Sequence, residues 1–233
     1  MDTIDLLVNT VTAAYETWRS DPNGRHRSWE HCYKNFHDAR HQKSPNSDYL
    51  SLQLAFYLAS WGMYRGSSFL LQKDYRIHIP IVEEILEPQY DCLFGIECVA
   101  LERQEVQELL KKLEIAIENH YDGIRRGTKG PHLKYGLSTT LITKILMGTL
   151  GCVPAYDRYF VDGIKSQHVT TGNYSNKSLL GLVDFYKRNH VKLEATRKQL
   201  KVYDLLYPQM KLLDVGFWLI GVNKDMESNT DKK

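Results

Sequence analysis

Apolar positions recur along most of this chain at helical spacing. Ile4, Leu7, Val8, Val11, Ala14 and Trp18 mark an opening amphipathic helix, which the turn cluster Asp21-Pro22-Asn23-Gly24 ends. Ser28 is placed to cap a second helix running through Trp29, Tyr33 and Phe36 to about His41. From Leu50 to Tyr64 nearly every position is apolar or aromatic, so this stretch reads as a buried central helix. It is shorter than the roughly 20 apolar residues a bilayer span needs and contains Gln53, so no membrane association is expected. Phe69–Leu71 and Ile81–Leu86 predict short helices, and Gln89–Leu101 has no clean period. Val106, Leu109, Leu110, Leu113, Ile117 and Tyr121 form a stripe that starts near Gln104. Further helices are expected from Ser138 to about Leu150, over Ala155–Ile164, from Ser175 to about Tyr203, and from Pro208 through Ile220.

No segment sustains period-two alternation, so the fold is expected to be mainly α. Breaks are frequent and the helices unequal, which favours an irregular multi-helix array over an up-down bundle. Residues 1–222 read as a single all-helical domain and residues 223–233 as a disordered polar tail.

Composition narrows the function classes only slightly. The net charge is +2 over 233 residues, so nothing global announces a nucleic-acid binder. Cys32, Cys92, Cys98 and Cys152 are scattered without a C-x-x-C pair, and the first residues lack a secretory pattern. A cytoplasmic protein with free thiols is the expectation. His37 and His41 share a helical face, but Lys34, Arg40 and Gln42 around them suit a solvated surface better than a metal site. No motif calls for a metal or a cofactor.

Cations are the more informative side chains. Arg65-Gly66-Ser67-Ser68 follows the central helix, with Gly66 suited to a left-handed helix end. Arg65 there either binds an anion beside free helix-start amides or bonds the last carbonyls of its own helix. Arg125, Arg126 and Lys129 fall in the expected loop 122–131, which holds three glycines. The helix expected at 175–203 carries Lys187, Arg188, Lys192, Arg197, Lys198 and Lys201, a nucleic-acid face or simply a solvated one.

The segment Gly136-Leu-Ser-Thr-Thr-Leu-Ile-Thr-Lys144, continued by Gly151-Cys-Val-Pro-Ala-Tyr-Asp157-Arg158-Tyr159, resembles the core of the helix-hairpin-helix DNA glycosylase superfamily. That resemblance implies a glycine hairpin gripping phosphate, a helix, and a Pro-x-x-Asp turn whose carboxylate stabilises a cationic sugar. Carried onto this chain, Asp157 is the carboxylate, Gly136 and Ser138 form the hairpin, and Arg125, Arg126, Lys129 and Arg158 assist at phosphate. Ser138 stands where the hairpin's second glycine would be. Thr140 is nearest the lysine nucleophile's place, with Lys144 one turn further on as the candidate catalytic amine. Trp61, Tyr156 and Tyr159 are candidate platforms for a flipped base, and Arg65 joins them in lining the cleft. A plain N-cap is the other role open to Asp157. Leu54–Gln72 together with Lys144–Phe160 also looks like a group of uncharacterised bacterial helical proteins, a likeness that implies no activity. The expected partner is therefore DNA or a nucleotide; the rival class is a non-enzymatic helical module that binds a protein partner.

Overall fold

A computed structural model describes residues 2–130 and 136–230, without the side chains of 229 and 230. Among the described residues there are ten α-helices: α1 Thr3–Ser20, α2 Arg27–Ala39, α3 Ser47–Ser60, α4 Ile79–Ile85, α5 Gln104–Arg126, α6 Thr139–Thr149, α7 Arg158–Ser166, α8 Asn176–Arg188, α9 His190–Arg197 and α10 Gln209–Thr230. Four 3-10 segments (Phe69–Gln72, Tyr75–His78, Pro88–Leu93 and Cys98–Glu102) link the middle helices. The architecture is mainly α-helical, an irregular multi-helix array. One small hairpin interrupts it: β1 Lys201–Val202 pairs antiparallel with β2 Leu205–Leu206. No helix among the described residues is long and apolar enough to cross a membrane.

The buried side chains form one contiguous cluster from Ile4 to Ile220. Trp29 and Phe36 of α2, Leu54 and Leu58 of α3, Ile145 and Leu146 of α6, and Leu213 and Phe217 of α10 are all nearly inaccessible. The Trp29 indole N–H donates to the Met147 carbonyl at 3.0 Å, tying α2 to α6 through the core. Helices α7 and α10 make the most extensive helix–helix contact. Gly163 and Gly221 explain how closely they approach. A Cβ on Gly163 would overlap the Phe217 carbonyl oxygen, and one on Gly221 the Tyr159 carbonyl oxygen.

Several sequence expectations are corrected here. Ser28 lies inside α2, with its hydroxyl bonded to the Arg25 carbonyl, and His26 is the N-cap residue. Helix α3 stops at Ser60, because Gly62 (φ 77°) takes the left-handed position before Gly66 does (φ 59°). It is also not buried all round, since Tyr49, Leu52 and Phe56 are exposed. Helix α5 runs through Asp122–Arg126, where a loop was expected, because Asp122 bonds Arg125 and Arg126 one turn on. The long basic helix is two helices, broken at Asn189. Helix α10 continues to Thr230, through most of the stretch expected to be a disordered tail; residues 231–233, like Pro131 of the expected loop, lie outside the described residues.

Candidate functional site

Helices α6 and α7 and the end of α3 bring the sequence-singled residues into one cleft. Val153-Pro154 keeps α7 from extending backwards, and Asp157 becomes its N-cap, with Oδ1 accepting from the Phe160 amide at 3.1 Å. The other oxygen, Oδ2, lies 3.2 Å from Lys144 Nζ on α6. Lys144 also donates to the Trp61 carbonyl at 2.8 Å, satisfying one of the free carbonyls at the end of α3. Three elements thus meet at a single ammonium. Burial lowers the Lys144 pKa, while the Asp157 carboxylate acts against that shift. The ring of Trp61 lies 5.8 Å from the same ammonium.

The cleft above this pair encloses about 570 Å³, and Lys144 and Asp157 line it with Trp61, Trp218, Tyr159, Arg25, Arg65 and Arg158. Trp61 and Trp218 pack edge to face at 5.6 Å, and Trp218 meets Tyr159 in the same way at 5.8 Å. The Arg25 guanidinium sits 5.2 Å from the Trp61 ring centre. No carboxylate among the described residues lies within ion-pair distance of Arg25 or Arg65, whereas Arg158 pairs with Asp162 and Asp225. The Arg65 side chain folds back over Gly62 and makes no hydrogen bond to the carbonyls of α3.

A second cavity of about 270 Å³ continues the cleft past Arg65, sharing Gly62, Met63, Arg65 and Ser138 with it. Ser67, Ser68, Arg125 and Gly136, with the apolar Phe69, Leu137 and Leu141, complete its lining. Ser138 caps α6 without a side-chain bond and is exposed. The first turn of this 11-residue helix therefore has no side-chain cap.

Behind Trp61 lies a narrow, partly open chamber of about 20 Å³, room for one water. All four tryptophans of the chain, Trp18, Trp29, Trp61 and Trp218, line it. So do two ion pairs, Lys144–Asp157, in which only the lysine is buried, and the buried Lys211–Asp214 at 2.8 Å. Asp214 also accepts from the Ala155 amide at 2.9 Å, so it fixes the turn that leads to Asp157. Lys211 Nζ lies 4.6 Å from the Trp29 ring and 5.8 Å from that of Trp61. His26 stacks on Trp18 at 4.0 Å, and its pKa is lowered to about 4 by burial, then by Arg25 and Lys211. His26 Nδ1 and Trp61 Nε1 are buried without a hydrogen-bond partner among the described residues.

Of the residues singled out from sequence, Lys144, Asp157, Arg158, Tyr159, Trp61, Arg65, Gly136, Ser138 and Arg125 line these adjoining cavities. Tyr156 does not. Its ring is buried and its hydroxyl lies 2.8 Å from the Ser178 hydroxyl, because Thr140 and Thr143 hold its backbone facing α6. Arg125 is buried against Asp122, and Arg126, also on Asp122, and Lys129 are exposed outside the cavities. The expected basic stripe is largely neutralised: Lys187 pairs with Glu102, Arg188 with Asp184, Lys192 with Asp5 and Arg197 with Glu194. Among the described residues no group of three or more His, Cys, Asp or Glu could hold a metal ion, and His37 and His41 simply pack ring to ring at 4.9 Å.

Sequence reasoning missed Arg25, His26, Lys211, Asp214 and the convergence of the tryptophans. The signal for the ion pair was present: Lys211 and Asp214 lie one turn apart among Met210, Leu212, Leu213 and Val215, where a charged pair has no place on an apolar helix without a purpose. No family model, curated protein or solved structure matches this chain.

Proposed function

We propose that the cleft recognises one nucleotide unit of a nucleic acid, with a helix-hairpin-helix-like arrangement of α6 and α7 beneath it. The observation that carries this reading is the Lys144–Asp157 pair at a floor where an aromatic wall meets two arginines without carboxylate partners among the described residues. A base has Trp61, Trp218 and Tyr159 to stack on. Its phosphate has Arg65, the Ser138 end of α6 and Arg25. The order Gly136–Ser138, α6, Pro-x-x-Asp and α7 resembles that of the glycosylase core. In that chemistry the carbon–nitrogen bond to the base breaks with its electron pair, and the Asp157 carboxylate stabilises the cationic sugar until water adds. Lys144, with its lowered pKa, is the amine nearest that centre.

The test is binding of the full chain to a duplex carrying an abasic-site analogue, at two salt concentrations, for wild type, Arg65→Ala and Asp157→Asn. Salt-sensitive binding that prefers the lesion, weakened by Arg65→Ala and altered by Asp157→Asn, is the expected result. Binding that is absent, or indifferent to all three proteins, removes the reading. A protein partner is the second reading. It is favoured by the outer face of α3, where Tyr49, Leu52 and Phe56 are 46%, 47% and 56% exposed and share one side of the helix.

A further inference from the structure

Three cations from three separate elements converge on a pocket that shares no lining residue with the cleft. It encloses about 440 Å³ between Tyr15 and Arg19 of α1, Arg27 and Glu30 of α2, and Lys201 and Tyr203 of the hairpin. The two arginine side chains have ring or ion-pair contacts, and Lys201 is placed through its backbone. Arg27 Nη1 lies 2.7 Å from Glu30 Oε2, and its guanidinium sits 5.7 Å from the Tyr203 ring centre. Its Nε and the facing Glu30 Oε2 are both buried without a hydrogen-bond partner among the described residues. The Arg19 guanidinium sits 5.6 Å from the Tyr15 ring centre. The Tyr15 hydroxyl accepts from the Lys201 amide at 2.9 Å and lies 3.3 Å from the Lys201 carbonyl, which fixes the strand that carries Lys201.

The hairpin turn is itself unusual. Tyr203 has φ 56°, a left-handed conformation that ring-bearing residues rarely adopt, and its hydroxyl lies 2.5 Å from His31 Nδ1. That conformation places the ring against Arg27.

The charges in the pocket do not balance. Glu30 is engaged by Arg27, and no carboxylate among the described residues lies within ion-pair distance of Arg19 or Lys201. Three cations against one carboxylate leave an excess of +2, as large as the formal charge of the whole chain. Holding like charges together is unfavourable without a counter-anion. A phosphate monoester at neutral pH carries a charge of about −1.5 to −2 and three acceptor oxygens, which matches this excess. A phosphodiester, with a single charge, does not. The pocket is also far larger than a phosphate, and the tyrosine rings give it apolar sides.

We propose that this pocket binds a small phosphate monoester, its phosphate taken by Arg19, Arg27 and Lys201 and its organic part by Tyr15 and Tyr203. The proposal is independent of the cleft. Its test is calorimetric titration of the full chain with phenyl phosphate, and with dimethyl phosphate as a singly charged diester, at constant ionic strength. Arg19→Gln and Lys201→Gln alter exposed side chains, and Arg65→Gln serves as a cleft control. Saturable binding of phenyl phosphate is expected, weakened at least about tenfold by Arg19→Gln or Lys201→Gln and for the diester, and unchanged by Arg65→Gln. Failure to saturate, equal affinity for the diester, or affinity unmoved by both pocket variants overturns the proposal. Binding that Arg65→Gln removes places the anion in the cleft and overturns it equally.

Discussion

Asp157 divides its two carboxylate oxygens between a helix and a lysine: Oδ1 caps the first turn of α7, and Oδ2 lies 3.2 Å from the buried ammonium of Lys144. The two roles separate by mutation. Asn is as good an N-cap as Asp, so Asp157→Asn keeps the cap but leaves Lys144 without its counter-charge. We expect a loss of about 3 kcal/mol in urea unfolding, the order of cost for breaking a buried pair from one side. Adding Lys144→Met to Asp157→Asn should restore most of it. If the single substitution changes stability by less than about 0.5 kcal/mol, the pair is a surface-like one and the buried-charge account fails.

Arg65 and Arg25 are expected to act on affinity and salt dependence, not on folding, since neither is tied to a carboxylate. Each replacement by Ala should lower nucleic-acid affinity and reduce the slope of log K against log salt by about 1. Anisotropy titrations across a salt series measure this. An unchanged slope in the double variant would place the phosphate elsewhere.

His26 and His78 set an acid limit on stability. Burial lowers the pKa of His78 to about 3, with a smaller effect from His120, and burial lowers His26 to about 4. His78 lies between two hydroxyls, 2.7 Å from Tyr64 and 2.5 Å from Tyr121. In its neutral form one ring nitrogen donates and the other accepts, so a second proton reverses one of these bonds and displaces that hydroxyl's own proton. Both folded-state values lie below the unfolded value near 6.5. The unfolded chain therefore takes up protons first, and this stability is present above pH 6.5 and lost as pH falls towards 4 and then 3. The melting temperature should drop over that range, and His26→Phe, which keeps a ring on Trp18, should flatten the drop. A parallel profile for the variant would remove His26 from the account.

Gly163→Ala and Gly221→Ala should each destabilise the protein by about 1–3 kcal/mol, because the added methyl group meets backbone of the facing helix, which cannot rotate away. Gly66→Ala meets nothing within 4 Å and carries only the penalty of its positive φ. Denaturant midpoints for the three variants rank these effects directly.

Helices were legible wherever one apolar stripe repeated, as in α1, α5 and α8, because period and burial then coincide. They were misread where local chemistry decided the boundary. Gly62 ended α3 four residues before Gly66, and the Asp122 carboxylate carried α5 through a glycine-rich stretch that read as loop. Asn189 broke a basic run that had no Pro or Gly to announce the break. In the candidate site, Asp157 and Lys144 were legible because both lie within one motif. The aromatic chamber was not, since Trp18, Trp29, Trp61 and Trp218 come from α1, α2, the end of α3 and α10, and only tertiary packing gathers them.

That gathering makes the protein's ultraviolet emission a local instrument. With every indole in the chain on the wall of one chamber, the whole tryptophan signal originates beside Lys144, Asp157, Lys211 and Asp214. A molecule entering the cleft at Trp61 and Trp218 should change the colour and intensity of that light. Occupancy of the tyrosine-walled pocket, whose lining holds no indole but whose Tyr15 packs on Tyr207 of the chamber wall, should change it less. One cuvette can thus report which of two separate surfaces a ligand has chosen, without a label.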